Sequence, residues 1–515
     1  YRVRTAAHPE RDAVAFEVTG PAGAPVGVRL RFPYGSDAWA NASDWTRPEA
    51  HSTRIEALRG GWRIERRLDE TSYTVMVNGD GLEPVRLSEH DLVIAGVGEA
   101  RVVVEFSQGG TVPGALDSSA VLTASARGWE EFWSSGASVD LAGSIDPRAL
   151  ELERRTVLSQ YLTAVNCAGS LPPAETGLLL NSWRGKSHLE MHPFHALHFA
   201  AWGRPRLLER SLAWYHGVLP AARATARRQG LPGARWPKQV GPDGREAPSS
   251  IGPFLVWQQP HLIYLLEMLY RAAPGRELLE RNAELVYDTA EFMAAFAVED
   301  ADGFHLGPPV VPAQESYAFT RSTARDPTFE LAYWAWGLEA ACGWWRRLGR
   351  PPPDLWSDVA ARMAKPLVSH GTYAALATPP YLVRDDHPSM LAGYGFVPAT
   401  HVIDRETMAR TFDDAMADWD WESTWGWDYP VAAMTAARLG RPAHAVDALL
   451  LDRTKNQHLV NGHNRQTDLL PAYLPGNGGL LFAVALMAGG WDGSVPTPGF
   501  GRDWAVAHEG FVALP

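Results

Sequence analysis

Gly203-Arg204-Pro205 separates two runs of helical apolar period, and the same tripeptide returns as Gly349-Arg350-Pro351 and Gly440-Arg441-Pro442. Glycine accepts the left-handed backbone that ends a helix, and proline fits the first turn of the next one. Each tripeptide therefore predicts the turn of a helical hairpin. Their separations are close to whole multiples of roughly 45–50 residues, the length of two helices with two loops. About six or seven such hairpins fit between residue 147 and the end, enough to close a double ring of helices. An open solenoid shares that spacing.

Upstream of the first turn, Asp146-Pro147 is a helix start, and Leu150, Val157, Leu158, Tyr161 and Val165 follow at helical spacing. A second start, Asp326-Pro327, leads into the stripe Phe329, Ala332, Tyr333, Trp336 and Ala340. Residues 1 to about 130 have a period of two instead: Val14, Phe16 and Val18, then Val26, Val28, Leu30 and Phe32. Tyr73–Val77 runs into Asn78-Gly79, a tight-turn signal, and Val102–Phe106 closes the series. The expected fold is mostly α with an N-terminal all-β domain. Residues 1–130 form a β-sandwich, 131–146 a linking segment, and 147–515 a helical domain with a short C-terminal tail.

The composition excludes several classes. With 46% hydrophobic and 21% charged residues the chain can bury a large core and is not disordered. A net charge of −12 argues against nucleic acid and anionic membranes as partners. No apolar run approaches the ~20 residues of a membrane helix. Cys167 and Cys342 lie in apolar helical surroundings and are expected as two buried thiols. The first residue is Tyr1 rather than Met, so sequence upstream was removed or left out; a cleaved export signal implies secretion or the periplasm, a trimmed chain the cytoplasm. Nothing in the sequence reports an oligomeric state.

Five segments carry polar groups on apolar bases. In Asn181–His198, Arg184, Lys186, His188, Glu190, His192, His195 and His198 alternate with Trp183, Leu189, Met191, Phe194 and Leu197. A solvated helix face is not built from clustered His and Trp, and a plain core excludes unpaired Lys and Glu, so the expectation is a cleft wall. Gly233–Lys238 and Ile251–His261 follow; Trp257, Gln258 and His261 set a flat apolar face beside amide and imidazole groups, the parts that recognise sugars, though a capped helix start has the same composition. Leu306–Ser316 places Glu315 after a stiff, Pro-rich lead-in, a setting suited to a general acid. Asp418–Pro430 sets Glu422 and Asp428 among Trp419, Trp421, Trp425 and Trp427, and Asp428 also suits the start of a helix. Asn461–Gly479, with His463, Asn464, Arg465 and Asp468, is Gly-rich and precedes an apolar helix. It follows no clear strand and lacks Gly-Lys-Ser/Thr, so nucleotide binding is poorly supported. No His-Glu-x-x-His or comparable metal spacing occurs, and no metal or other cofactor is expected.

In this order, behind a β-rich domain, the segments resemble the glycoside hydrolases with an (α/α)6 barrel, notably families 65 and 95. Lys186-Ser-His188-Leu-Glu-Met191-His-Pro-Phe194 occupies the place of the family 95 Asn-x-Asn and Met-Asn-x-Trp motifs, with Lys186 and His188 for the asparagines. Leu189-Glu190-Met-His192 looks like the family 65 Trp-Asp-x-Glu, which contacts sugar. Glu315 matches the position of the general acid. Gly426-Trp-Asp and Ala437-Arg-Leu-Gly440 look like the family 95 helix, but Pro475 stands where its catalytic base precedes Gly-Asn-x-Gly-Gly. In other six-hairpin glycosidases the base lies a little before this helix, which leaves Asp468, with Glu190, Glu422 and Asp428 as substitutes.

The resemblance implies hydrolysis of a glycosidic bond in an oligosaccharide or glycoside, with inversion, Glu315 as acid and Asp468 as base. Arg184, Lys186, His188, Glu190, His192, Trp257, Gln258, His261, Glu422, Trp425, Asp428, His463 and Asn464 are the expected sugar ligands. Three rivals share the fold. A disaccharide phosphorylase would hold phosphate on Arg465, His463 and Asn464. A polysaccharide lyase would use a His with Tyr317 or Tyr473. A non-catalytic glycan-binding protein would have lost the base.

Overall fold

The computed structural model describes residues 1–79, 81–108 and 116–515. The chain divides into two compact units, Tyr1–Ser135 and Gly136–Pro515.

In the first unit an antiparallel six-stranded sheet has the spatial order Arg2–Ala7, Ala13–Thr19, Glu99–Gln108, Thr71–Asn78, Gly61–Leu68, His51–Leu58. A three-stranded sheet, ordered Pro25–Arg31, Asp91–Val97, Glu83–Ser88, packs on it. Val28, Leu92 and Ile94 of the smaller sheet meet Ile64, Val75, Val77, Val102 and Val104 of the larger in one apolar layer, which makes this a sandwich. Asn78-Gly79 is not a hairpin turn: Thr71–Asn78 pairs with Gly61–Leu68 and Glu99–Gln108, while the next strand belongs to the other sheet. The β reading also stops early. Helix α1, Ser118–Ser134, capped by Asp117, buries Val121 against Ala13, Ala15 and Val103. This helix gives the strand Ala13–Thr19 a second covered face.

The second unit is a ring of helical hairpins. Its outer helices are α2 (Ala149–Cys167), α4 (Pro205–Arg228), α6 (Arg276–Phe296), α8 (Asp354–Ala361), α9 (Arg405–Asp418) and α11 (Pro442–Leu449). The inner elements are α3 (His192–Ala201), α5 (His261–Ala272), α7 (Thr328–Arg347), the short 3₁₀ segment Ser389–Gly393, α10 (Asp428–Arg438) and α12 (Leu474–Gly489). Inner elements touch in that order, and α12 returns to α3. The ring is therefore closed, an (α/α)6 barrel rather than a solenoid.

Local chemistry explains the turns. Gly203, Gly349 and Gly440 have φ of 70°, 73° and 75°. Pro205 and Pro442 begin the following helices, whereas α8 waits until Asp354, after Pro351–Pro353. The two Asp-Pro starts are displaced. Asp146 accepts Arg148 N at 2.9 Å and α2 begins at Ala149. Asp326 turns back to accept Leu306 N at 2.9 Å, and α7 begins at Thr328.

The Gly-rich start of α12 is a packing device. A Cβ on Gly478 would lie 1.9 Å from Phe194 O of α3, and one on Gly476 2.3 Å from Asn464 Oδ1. On the barrel axis Phe396, fully buried, meets rings from four inner helices: Phe194, Tyr264, Phe329 and Phe482. Both cysteines are free and buried. Among the described residues no helix is long and apolar enough to cross a membrane.

Candidate active site

Glu190, Trp257, Glu315, Asp386, Trp427 and Tyr473 come from six different stretches of sequence; all lie shortly before an inner element of the ring except Glu315, which starts the 3₁₀ segment Glu315–Thr320 on the loop leading to α7. The polar segments thus converge at one end of the barrel, above the aromatic plug.

Glu190, 5% exposed, is held by three side chains. Trp257 Nε1 donates to its Oε1 at 3.0 Å, while His188 Nε2 and Lys238 Nζ lie 3.2 and 3.1 Å from its Oε2. Its carbonyl accepts from His261 Nε2 at 3.0 Å. Burial alone would push this carboxyl up, but Lys238 and His188 outweigh it and hold Glu190 below the usual carboxylate range. His188 also pairs with buried Glu175. Burial disfavours a charged ring, yet Glu175 and then Glu190 prevail and push His188 up to about 9. Lys238 reaches across to Glu315 as well, so one ammonium links both carboxylates.

The loop carrying Glu315 is tied down on both flanks. Gln314 Nε2 donates to Val383 O at 2.8 Å and to Asp385 O at 2.7 Å. Ser316 N donates to Asp386 Oδ2 at 3.3 Å, and Tyr317 OH accepts Val383 N at 2.7 Å. Ala313 N donates to Glu330 Oε1 at 2.6 Å, and burial pushes Glu330 up to about 8. The Glu315 side chain itself remains 33% exposed. His387 sits between Asp428 Oδ2 at 2.8 Å and Asp386 Oδ1 at 3.3 Å, its ring 4.4 Å from that of Trp427. Lys455 lies 4.7 Å over the Trp425 ring, which also meets Trp183 and Tyr473.

Several expected sugar ligands are buried and hydrogen-bonded within the protein. Fully buried His192 has both ring nitrogens 2.9 Å from hydroxyls of α4, Tyr215 and Ser211, and burial lowers it to about 3. His261 spans Tyr333 OH and the Glu190 carbonyl. Gln258 Nε2 is spent on Trp236 O and Leu255 O. Trp257, 1% exposed, stacks on Trp427 at 5.7 Å and offers no open face. Asn464, fully buried, bonds Lys455 O, Gln457 O and Gln466.

Other expectations fall at the edge. Arg184 is exposed and Lys186 half-buried on the approach loop, where Trp183 and Arg184 have φ of 45° and 62°. His463 is half-buried and lowered by burial. Glu422, 59% exposed, faces Arg453 at 3.8 Å. Asp468, the expected base, is 93% exposed and paired with Arg465 at 2.5 Å. The residues that sequence reasoning passed over are Glu175, Asp386, His387 and Lys455, and Lys238 was given no role within its segment. Asp385-Asp386-His387-Pro388, before a helical turn, was the available signal for two of them.

Among the described residues, the grouping with metal-ligand chemistry is Asp300, Asp302 and His305. There Arg325 pairs with Asp300, and His305 is bonded to both Asp326 and Asp300, so the group is satisfied internally.

No protein-family model and no curated protein matches the sequence. Solved structures do. One described as "Putative kojibiose phosphorylase from human microbiome" aligns with a TM-score of 0.69 at 10% identity, over 96% of this chain and 73% of its own. The fold is that of the six-hairpin glycosidases. A wild-type glycosidase aligns at 0.51 with 17% identity, over 65% of this chain and 97% of its own, and an E335A variant of a glycosidase in complex with glucose aligns equally well. At these identities the likeness concerns the fold, and both a phosphorylase and glycosidases share it.

Proposed function

We propose that this protein hydrolyses the glycosidic bond of an oligosaccharide or glycoside with inversion, Glu315 protonating the leaving oxygen. The observation that carries this reading is the contrast around Glu315. Gln314, Ser316 and Tyr317 are all fixed to residues 383–386, while the carboxyl between them stays a third exposed and within reach of a substrate. A general acid needs such a placement, rigid in its backbone and open at its oxygen. To act as the acid, Glu315 must leave its contact with Lys238 and take a proton from solvent, and a sugar hydroxyl bound at Lys238 would free it. Lys238, with Glu190 beside it, then takes the sugar's hydroxyl edge, and Trp425 meets its C–H face.

The rival chemistries find less support. Of the three anion ligands anticipated for phosphorolysis, Arg465 is engaged by Asp468 and Asn464 by backbone carbonyls. A lyase base must lose its proton readily, but burial pushes both Tyr317 and Tyr473 up.

The test is a screen of oligosaccharides and aryl glycosides with and without phosphate, on wild type and Glu315→Gln. Phosphate-independent release of reducing sugar, lost in Glu315→Gln, is expected. Full activity in that variant overturns the assignment, strict phosphate dependence moves the protein to the phosphorylases, and no turnover favours a binding role.

A further inference from the structure

Asp386 sits in a constrained setting at the loop end of the barrel. Its backbone is left-handed, with φ of 60°, a conformation that costs a non-glycine residue energy and persists only where neighbours enforce it. The neighbours are present. Asp386 N donates to Ser423 Oγ at 2.7 Å, and Trp419 Nε1 donates to Asp386 O at 3.0 Å. Two contacts then aim the carboxylate: Ser316 N at 3.3 Å from Oδ2, and His387 Nε2 at 3.3 Å from Oδ1. His387 is anchored through Nδ1 on Asp428, which in turn accepts Trp425 N at 2.8 Å and is 2% exposed. Much of the Trp-rich segment from Trp419 to Asp428 thus serves to hold Asp386 and His387.

The other carboxylates of the cluster are committed or misplaced. Glu190 and Glu175 are buried in ion pairs, Asp428 is buried beneath His387, and Glu422 and Asp468 face outward. Asp386 retains 19% side-chain exposure and is linked through Ser316 to the loop of Glu315. It lies on the loop before the fourth inner element, not on the loop before α12 where the base was expected.

We propose that Asp386 is the general base, taking a proton from the water that attacks the anomeric carbon, with His387 and Asp428 as its positioning residues. The proposal rests on the hydrolase reading above. In the step, the water oxygen bonds to the anomeric carbon as its proton passes to an Asp386 oxygen. The carbon–oxygen bond to the leaving group breaks, and that oxygen takes its electron pair and the proton of Glu315. Both carboxyls then return to their starting states by exchanging one proton each with solvent. Water enters on the face opposite the departing oxygen, so the product anomer is inverted.

Glycosyl fluorides separate the two roles, because fluoride leaves without protonation. A panel of α- and β-glycosyl fluorides, matched to the oligosaccharide that the wild type cleaves, is assayed with Glu315→Gln and Asp386→Asn. Glu315→Gln is expected to lose about 10²–10⁴-fold on the oligosaccharide but to keep fluoride hydrolysis. Asp386→Asn is expected to lose both by a similar factor. Oligosaccharide activity in Asp386→Asn within a few-fold of wild type, with Glu315→Gln inactive, overturns the role of Asp386 alone. Full oligosaccharide activity in Glu315→Gln, or no turnover by the wild type, overturns the hydrolase reading and this proposal with it. Should Asp386→Asn melt early, Asp386→Glu keeps the charge but shifts it by one methylene; lowered kcat at unchanged KM supports the role, and unchanged kcat contradicts it.

Discussion

Ser316 N lies 3.3 Å from Asp386 Oδ2, so the residue after the proposed acid is bonded to the carboxylate of the proposed base. Gln314 adds two bonds from the other side, to Val383 O and Asp385 O. Two loops from different hairpins are therefore tied together. An enzyme that needs a fixed separation between two carboxyls gains from such a tie, since small displacements of catalytic groups are costly.

Replacing Gln314 by Leu removes both of its bonds and leaves two carbonyls without this partner. The expected cost is about 1–3 kcal/mol of stability, seen as a lower urea midpoint. kcat should fall by more than KM rises, because the loss is in alignment. A variant with wild-type kcat would show that the tie has no part in catalysis.

Ser423→Ala removes the hydroxyl that accepts Asp386 N. We expect a drop in kcat with KM little changed, and about 1 kcal/mol of destabilisation in denaturant titration. Equal loss in the Asp386→Asn background would mean that Ser423 acts by some route other than Asp386.

Glu330 makes stability depend on pH. Burial is the main cause and Ala313 N a partial offset, and together they leave its folded value at about 8 against an ordinary 4.5. A raised folded value means that its favourable contribution is fully present below about 4.5 and is lost as pH rises through about 8. Glu330→Gln should therefore lose less of its Tm than wild type between pH 5 and pH 9. Parallel Tm profiles of the two proteins across that range would count against this account.

Closure of the ring rests on contacts as close as that of Gly478 with Phe194 O, where a Cβ would come within 1.9 Å. Gly478→Ala must push α12 away from α3 and should cost about 1–3 kcal/mol or more. Gly343→Ala, where nothing lies within 4 Å of the new atom, is the control and should leave the midpoint unchanged or slightly raised.

How far the sequence was legible depends on the range of the interactions involved. Gly203, Gly349 and Gly440 act through local backbone conformation, so they could be read in place, and they announced the hairpins. Whether the hairpins closed could not be read, because it depends on α12 meeting α3 across most of the chain. Clustered polar residues at helix starts marked the end of the barrel where the polar segments converge. The division of labour within each cluster depended on partners far away: His192 on Tyr215, Trp257 on Glu190, Trp419 and Ser423 on Asp386. Asp468 follows from its position shortly before α12, but exposure is decided by which side of the loop faces the barrel. Asp386 went unnoticed because one acidic residue in Asp-Asp-His-Pro is unremarkable until its four holders are in view.

The most direct test of the whole account is to follow by proton NMR the first anomer released from a cleaved glycoside of known configuration, in phosphate-free buffer. Inversion at a Glu315-dependent rate predicts that the opposite anomer appears first and that Glu315→Gln abolishes it. Release of the same anomer as the substrate, or product only as a sugar 1-phosphate once phosphate is added, would contradict it.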